Sequence, residues 1–96
     1  MKEDYQIGQI VFSKCGRDKG KAFIVIRIEE EYVHLVDGKS RTLENPKKKK
    51  HKHTQRTKTV VEWIKQKLIE DALMDHEIKK VIQKYLKDAS IREGGL

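Results

Sequence analysis

The run Ala22-Phe23-Ile24-Val25-Ile26-Arg27-Ile28-Glu29 is the feature that most limits what this chain can become. β-branched and aromatic side chains dominate it, and a glycine-bounded stretch precedes it, so residues 22–29 read as a strand with Ile24, Ile26 and Ile28 on one face. A strand cannot satisfy its own backbone donors and acceptors, so it needs neighbours. Residues 9–14, entered after Gly8, form a first candidate, separated from the run by the loop Gly16-Arg17-Asp18-Lys19-Gly20. Residues 32–36 form another, reached through a hairpin tip at Glu29, Glu30 and Glu31. Asp37-Gly38 is a two-residue hairpin signal, because both positions tolerate positive φ, and it predicts a returning strand over 40–44. Pro46 breaks the pattern, and residues 50–54 allow a fifth, short strand. Five short strands joined by tight turns suggest a small barrel.

The periodicity changes at Thr59. Thr59 with Glu62 predicts a capping box, and Val60, Val61, Ile64, Leu68 and Ala72 follow at helical spacing. Asp75 suits the N-cap of a second helix, in which Ile78, Val81, Ile82, Tyr85 and Leu86 make an apolar stripe. Leu73 and Met74 fall at the turn between the helices. Those stripes are expected to cover the strands or each other, with Trp63 in the packing. The tail over 91–96 is expected to fray.

Charge is distributed unevenly. The net charge of +7 comes entirely from residues 47–58, which hold 7 Lys or Arg and no acid. Residues 1–46 balance 8 against 8, and residues 59–96 balance 7 against 7. A localised positive field favours a polyanionic partner. The 96 residues suit one domain with a helical appendage. No run approaches the ~20 apolar residues that span a bilayer. The single cysteine, Cys15, excludes an internal disulfide framework, and no apolar leader follows the N-terminus, so a cytoplasmic protein is expected. His51 and His53 would share one face of a strand, but no carboxylate or cysteine accompanies them, so no metal or other cofactor is expected. No acid/base pair or nucleophile constellation points to an enzyme.

The segment Ile7-Gly8-Gln9-Ile10-Val11-Phe12-Ser13, leading into residues 16–20 and then Phe23-Ile24-Val25-Ile26, resembles a KOW motif. Leu35-Val36-Asp37-Gly38 resembles the second hairpin of the eukaryote-type "fourteen-e" large-subunit ribosomal proteins, and residues 47–53 resemble the basic end of bacterial KOW-domain proteins. Gln9 stands where KOW motifs usually carry an acid. The resemblance covers roughly residues 5–55. It implies an SH3-like five-stranded small barrel over residues 1–56, its basic segment at 47–58; it says little about the α-hairpin that periodicity predicts over 59–90, and together they make a mainly β fold with C-terminal helices. It further implies contact with ribosomal or other structured RNA through the loop between the first two strands, residues 14–21.

The expected RNA-binding residues are Lys14, Arg17, Lys19 and Lys21 of that loop, Arg41, and Lys47, Lys48, Lys49, Lys50, His51, Lys52, His53, Arg56 and Lys58 of the basic segment. Gly8, Gly16, Gly20 and Gly38 serve as motif glycines. Lysine is a point charge without a planar fork, so the segment positions RNA rather than reading its sequence. Arg27 reads as part of a solvated strand face. Ribosomal proteins are further expected partners, and no membrane is. The alternative reading is an adaptor of the transcription or translation machinery that docks on protein through the barrel edge or the helices.

Overall fold

The computed structural model describes residues 4–94. Five antiparallel strands, β1 (Gln9–Ser13), β2 (Ala22–Ile28), β3 (Tyr32–Val36), β4 (Lys47–Lys50) and β5 (Thr54–Val60), form one sheet in the order β4-β3-β2-β1-β5. Two helices follow, α1 (Glu62–Ile69) and α2 (Asp75–Gly94). No helix among the described residues is long and apolar enough to cross a membrane.

The first three strands lie where alternation predicted them. The last two do not. Residues 40–44 are not a strand, because their backbone is captured elsewhere. The Asp37 carboxylate accepts from the N–H groups of Lys39 (2.9 Å) and Arg41 (2.8 Å) and from Ser40 Oγ (2.9 Å). Leu43 N donates to Asp75 Oδ1 at 2.8 Å. This local turn chemistry outcompetes a ladder. The fourth strand is instead the lysine run itself. Residues 51–53 form a 3-10 turn rather than part of a strand, and β5 lies beyond it. Residue 56, expected to close the first unit, therefore falls inside β5.

Both faces of the sheet are buried over its central strands. On one, Ile10, Ala22, Ile24 and Val36 pack with Ile64 of α1, with Leu73, and with Ile78 and Ile82 of α2. On the other, Val11, Phe23, Val25, Val33 and Leu35 pack with one another and with Tyr5. No helix lies over that second face among the described residues, so the strands must curl around it. Ile28 does not share a face with Ile24. Between Val25 and Arg27 the pairing with β3 shifts, Val25 opposing Leu35 and Arg27 opposing His34. The extra residue, Ile26, is a bulge, and it turns Ile28 towards the second cluster.

Thr59 ends up in β5, and Val61 takes the N-cap position of α1 without a side-chain bond. The chain leaves α1 through Asp71, at φ 56°, with Asp71 N bonded to Leu68 O and Ala72 N to Lys67 O. This pairing closes the last turn. Asp75 does not cap α2, since its carboxylate is committed to Leu43. Met74 caps it: its carbonyl accepts from Glu77 N and Ile78 N, while Glu77 Oε1 reaches back to Met74 N at 3.1 Å. Lys67 of α1 pairs with Glu77 of α2. Trp63, expected in the packing, is 44% exposed, and Leu86 is 43% exposed. Of the tail expected to fray, residues 91–94 continue α2, and Gly95 and Leu96 lie outside the described residues.

Gly38 sits at the crowded point where the loop over 37–46 meets α2. A Cβ there would lie 2.3 Å from Asp75 O and 2.8 Å from Lys79 N, at a φ of +77°. Gly20 has a similar φ of +85° but nothing within 4 Å of a Cβ. Gly38→Ala should therefore cost about 3 kcal/mol or more, adding steric overlap to the left-handed backbone penalty, whereas Gly20→Ala should cost about 1 kcal/mol. Urea denaturation of the two variants measures the difference, and equal losses would contradict the close approach.

Candidate nucleic-acid interface

The lysine run obeys the alternation of a strand, and that sorts its charges. Lys49 opposes Val33 and Lys47 opposes Leu35, both on the inner side, while Lys48 opposes His34 and Lys50 opposes Tyr32 on the outer side. Directly opposed residues share a face. The four lysines thus cannot act as one phosphate-binding row.

Lys49 is a correction to the expected set. Its side chain is only 8% exposed, and its ammonium donates to Asp18 Oδ1 at 2.7 Å and to Cys15 O at 3.0 Å. Ser13 Oγ donates to the same Asp18 oxygen at 2.7 Å. Burial alone would raise the Asp18 pKa, but the bonds from Lys49 and Ser13 and the Lys49 charge outweigh it and hold the carboxyl below its ordinary value of 3.8. Lys49 is a structural ion, shielded from an external phosphate. Its effect is to fasten β4 to the β1–β2 loop.

Around that pair lies a depression of about 300 Å³. Arg17 and Lys21 reach it from the β1–β2 loop, Arg41 from the β3–β4 loop, and Lys47 from the start of β4, with Phe23 among its walls. Asp18 is the only carboxylate lining it, and Lys49 already neutralises that charge. Among the described residues, the head groups of Arg17, Lys21, Arg41 and Lys47 make no ion pair. Two stretches distant in sequence, around residues 17–21 and 41–47, therefore present four uncompensated cations to one concavity. A second depression adjoins it, sharing Lys21 and Ser40 and adding Lys39, from α2 Lys79, and one acid, Asp37, whose carboxylate is bonded to its own turn. Neither Lys39 nor Lys79 was expected there. Only the approach of Gly38 to α2 brings them close, and no local motif encodes that.

The remaining expected residues separate into other settings. Lys14, Lys52 and Arg56 border a second cleft with His51 and Tyr5. Arg56 Nη1 donates to Asp4 O at 2.8 Å, and its guanidinium lies 5.5 Å from the Tyr5 ring centre. Lys48 is held 3.5 Å from Glu29 and lies over the Tyr32 ring at 4.6 Å. Arg27 and His34 also face Glu29, and the bond from His34, with the charge and bond of Lys48, outweighs burial and keeps that carboxyl below its ordinary value. Lys50 shares a depression with Glu30 and Glu31, which offsets its charge. Lys19 is exposed in the β1–β2 loop.

His51 and His53 sit in a 3-10 turn and do not share a strand face. His51 Nε2 lies 3.1 Å from Tyr32 O, and its ring stacks obliquely on Tyr5 at 4.6 Å. His53 contributes its carbonyl, which accepts from Lys14 N at 2.8 Å. His51 N donates to Glu31 O at 2.9 Å, so this turn ties the β2–β3 hairpin tip to the end of β1. Lys58 lies apart from both basic clefts, beside Trp63. Among the described residues no group of three His, Cys, Asp or Glu side chains could hold a metal ion.

Set against known proteins, the chain matches no family model, and no curated protein matches it.

Lys49→Gln should destabilise the fold by about 2 kcal/mol near neutral pH, since it leaves the half-buried Asp18 without its ion partner. Lys48→Gln, at an exposed pair, should leave stability nearly unchanged. Because the Asp18 pKa is lowered in the folded state, the pair's contribution is present above 3.8 and fades as pH falls below it. Denaturation of wild type and Lys49→Gln across pH 2 to 7 should show the two curves converging at the acid end. A constant gap between them would refute the assignment.

Proposed function

We propose that this chain is a non-catalytic, cytoplasmic RNA-binding protein of the translation machinery, built on an SH3-like barrel of KOW type with a helical extension. The observation that carries the reading is the depression where Arg17, Lys21, Arg41 and Lys47 converge with no ion partner among the described residues. A fold gains nothing from crowding four uncompensated cations, and the arrangement suits a ligand that brings the negative charge. Phosphates of a polynucleotide do so, and their binding releases condensed counterions. Arg17 and Arg41 can fork to phosphate oxygens, while Lys21 and Lys47 act as point charges. Lys39 and Lys79 extend the same positive surface onto α2.

The barrel assignment is supported by a meander whose last strand returns to pair with its first, around a core that no helix covers among the described residues. The contacts proposed are with backbone and shape, which fits ribosomal or other structured RNA, with ribosomal proteins as neighbours. A second reading, an adaptor docking on a protein, draws on the exposed Trp63, Ile69, Met74 and Leu86 of the helical layer.

The test uses purified ribosomal RNA and a salt series. Each phosphate contact contributes about 0.7 to 0.9 to the slope of log affinity against log salt, so replacing Arg17, Lys21, Arg41 and Lys47 together by Gln should lower that slope by roughly three. Lys48→Gln should barely change it. An unchanged slope in the fourfold variant, or no binding by the wild-type protein, would sink the proposal.

A further inference from the structure

We infer that a groove between β5, the start of α1 and α2 is a stacking site for one unpaired base of the bound RNA, with Trp63 as its platform; this rests on the RNA-binding reading above. The groove measures about 460 Å³, within the roughly 300 to 1,000 Å³ range of small-ligand sites. Its apolar wall includes Trp63, Val81 and Tyr85. Tyr85 is braced from behind by Phe12, their ring centres 6.3 Å apart. Trp63 is 44% exposed although the helix that carries it packs Ile64 fully into the core. An indole left this accessible on a groove wall offers a flat face to a second ring system.

Charge at the rim selects the occupant. Lys58 and Lys84 border the groove and Asp88 is the acid in its lining, whereas Lys67, 5.8 Å from the Trp63 ring centre, has its charge already met by Glu77. An aromatic group carrying an anion fits that rim, and a nucleotide is such a group: base on the indole, phosphate on the lysines. The path to the groove is also basic. β5 begins at the cleft that holds Lys14, Lys52 and Arg56 and ends beside the groove, with Lys58 exposed on the way. A strand of RNA following β5 is thus led to Trp63. Stacking tolerates any base, because every base has a π-face, so the site is expected to add affinity without sequence preference.

Trp63 is the only tryptophan in the chain, so its emission reports on this groove alone. Labelled oligouridylate and oligoadenylate are titrated against the full chain, with anisotropy reporting binding and tryptophan emission reporting stacking. Emission is expected to fall in step with anisotropy for both oligonucleotides. Trp63→Ala should weaken binding by about tenfold to a hundredfold, the range for losing one stacked base, and Trp63→Phe should restore most of it. Lys58→Gln with Lys84→Gln leaves the indole in place and should shift quenching to higher RNA concentration, which keeps the test open if Trp63→Ala fails to fold. Binding with unchanged emission and unaffected variants would overturn this inference alone, leaving the groove to a protein partner. Absence of any anisotropy change would remove the RNA reading and this site with it.

Discussion

The pairing of Lys49 with Asp18 organises much of what surrounds it. β4 is an edge strand, held to the sheet by β3 on one side only. Its inner side would carry two lysines into the curl of the sheet if no acid met them. Asp18 meets one, and in doing so joins the free edge to the β1–β2 loop. That loop then has a fixed position, with Arg17 and Lys21 on either side of an acid already neutralised. The ion pair costs desolvation, and buried pairs of this kind are poor stabilisers in themselves. What it contributes is geometry. Backbone bonds place β4 against β3 and close the β1–β2 loop; the ion pair is the side-chain tie from one to the other.

Much of the sheet was legible in the sequence, for a plain physical reason. β1, β2 and β3 alternate apolar with polar residues or carry dense β-branched runs, and such runs bury one or both faces. β4 carries no such contrast, because four identical lysines cannot display a period of two. β5 is nearly as silent, with one apolar residue, Val60, at its end. Its identity as a strand is set by β1, through pairs such as Phe12 with Gln55 and Ser13 with Thr54. A further contribution comes from Gln9, whose buried amide donates to Thr57 O at 2.8 Å and whose Oε1 accepts from Gln6 N. Partners far away in the chain made these strands, and no local window holds that information. The same holds for the candidate site. The basic segment was evident as a charge count, but which lysine turns inward depends on register with β3.

The helices were legible as helices and illegible as a layer. The stripe Ile78, Val81, Ile82 and Tyr85 marks an apolar face, yet nothing in it says what the face covers. A sign did exist in β2, where Ala22, Phe23, Ile24 and Val25 are all buried. Four consecutive apolar residues in a strand mean that both faces are covered. One face is closed by the curl of the sheet, which leaves the other for the helices. Asp75 illustrates how tertiary demand overrides local preference. It is a good N-cap by type, but its carboxylate serves Leu43 in a distant loop, and Glu77 supplies the reach-back that the helix start needs.

The placement of the lysine run on an edge has a consequence for the company this protein keeps. An edge strand offers unpaired backbone groups, and two such edges of like chains can zip together into a continuous sheet. Here that would bring the net positive surface around one β4 against that of another, with the Lys47 ammonium of each copy among the charges that no acid of the described residues meets. Repulsion between like charges, strongest where the strands would need to touch, keeps β4 from serving as a template for its own kind.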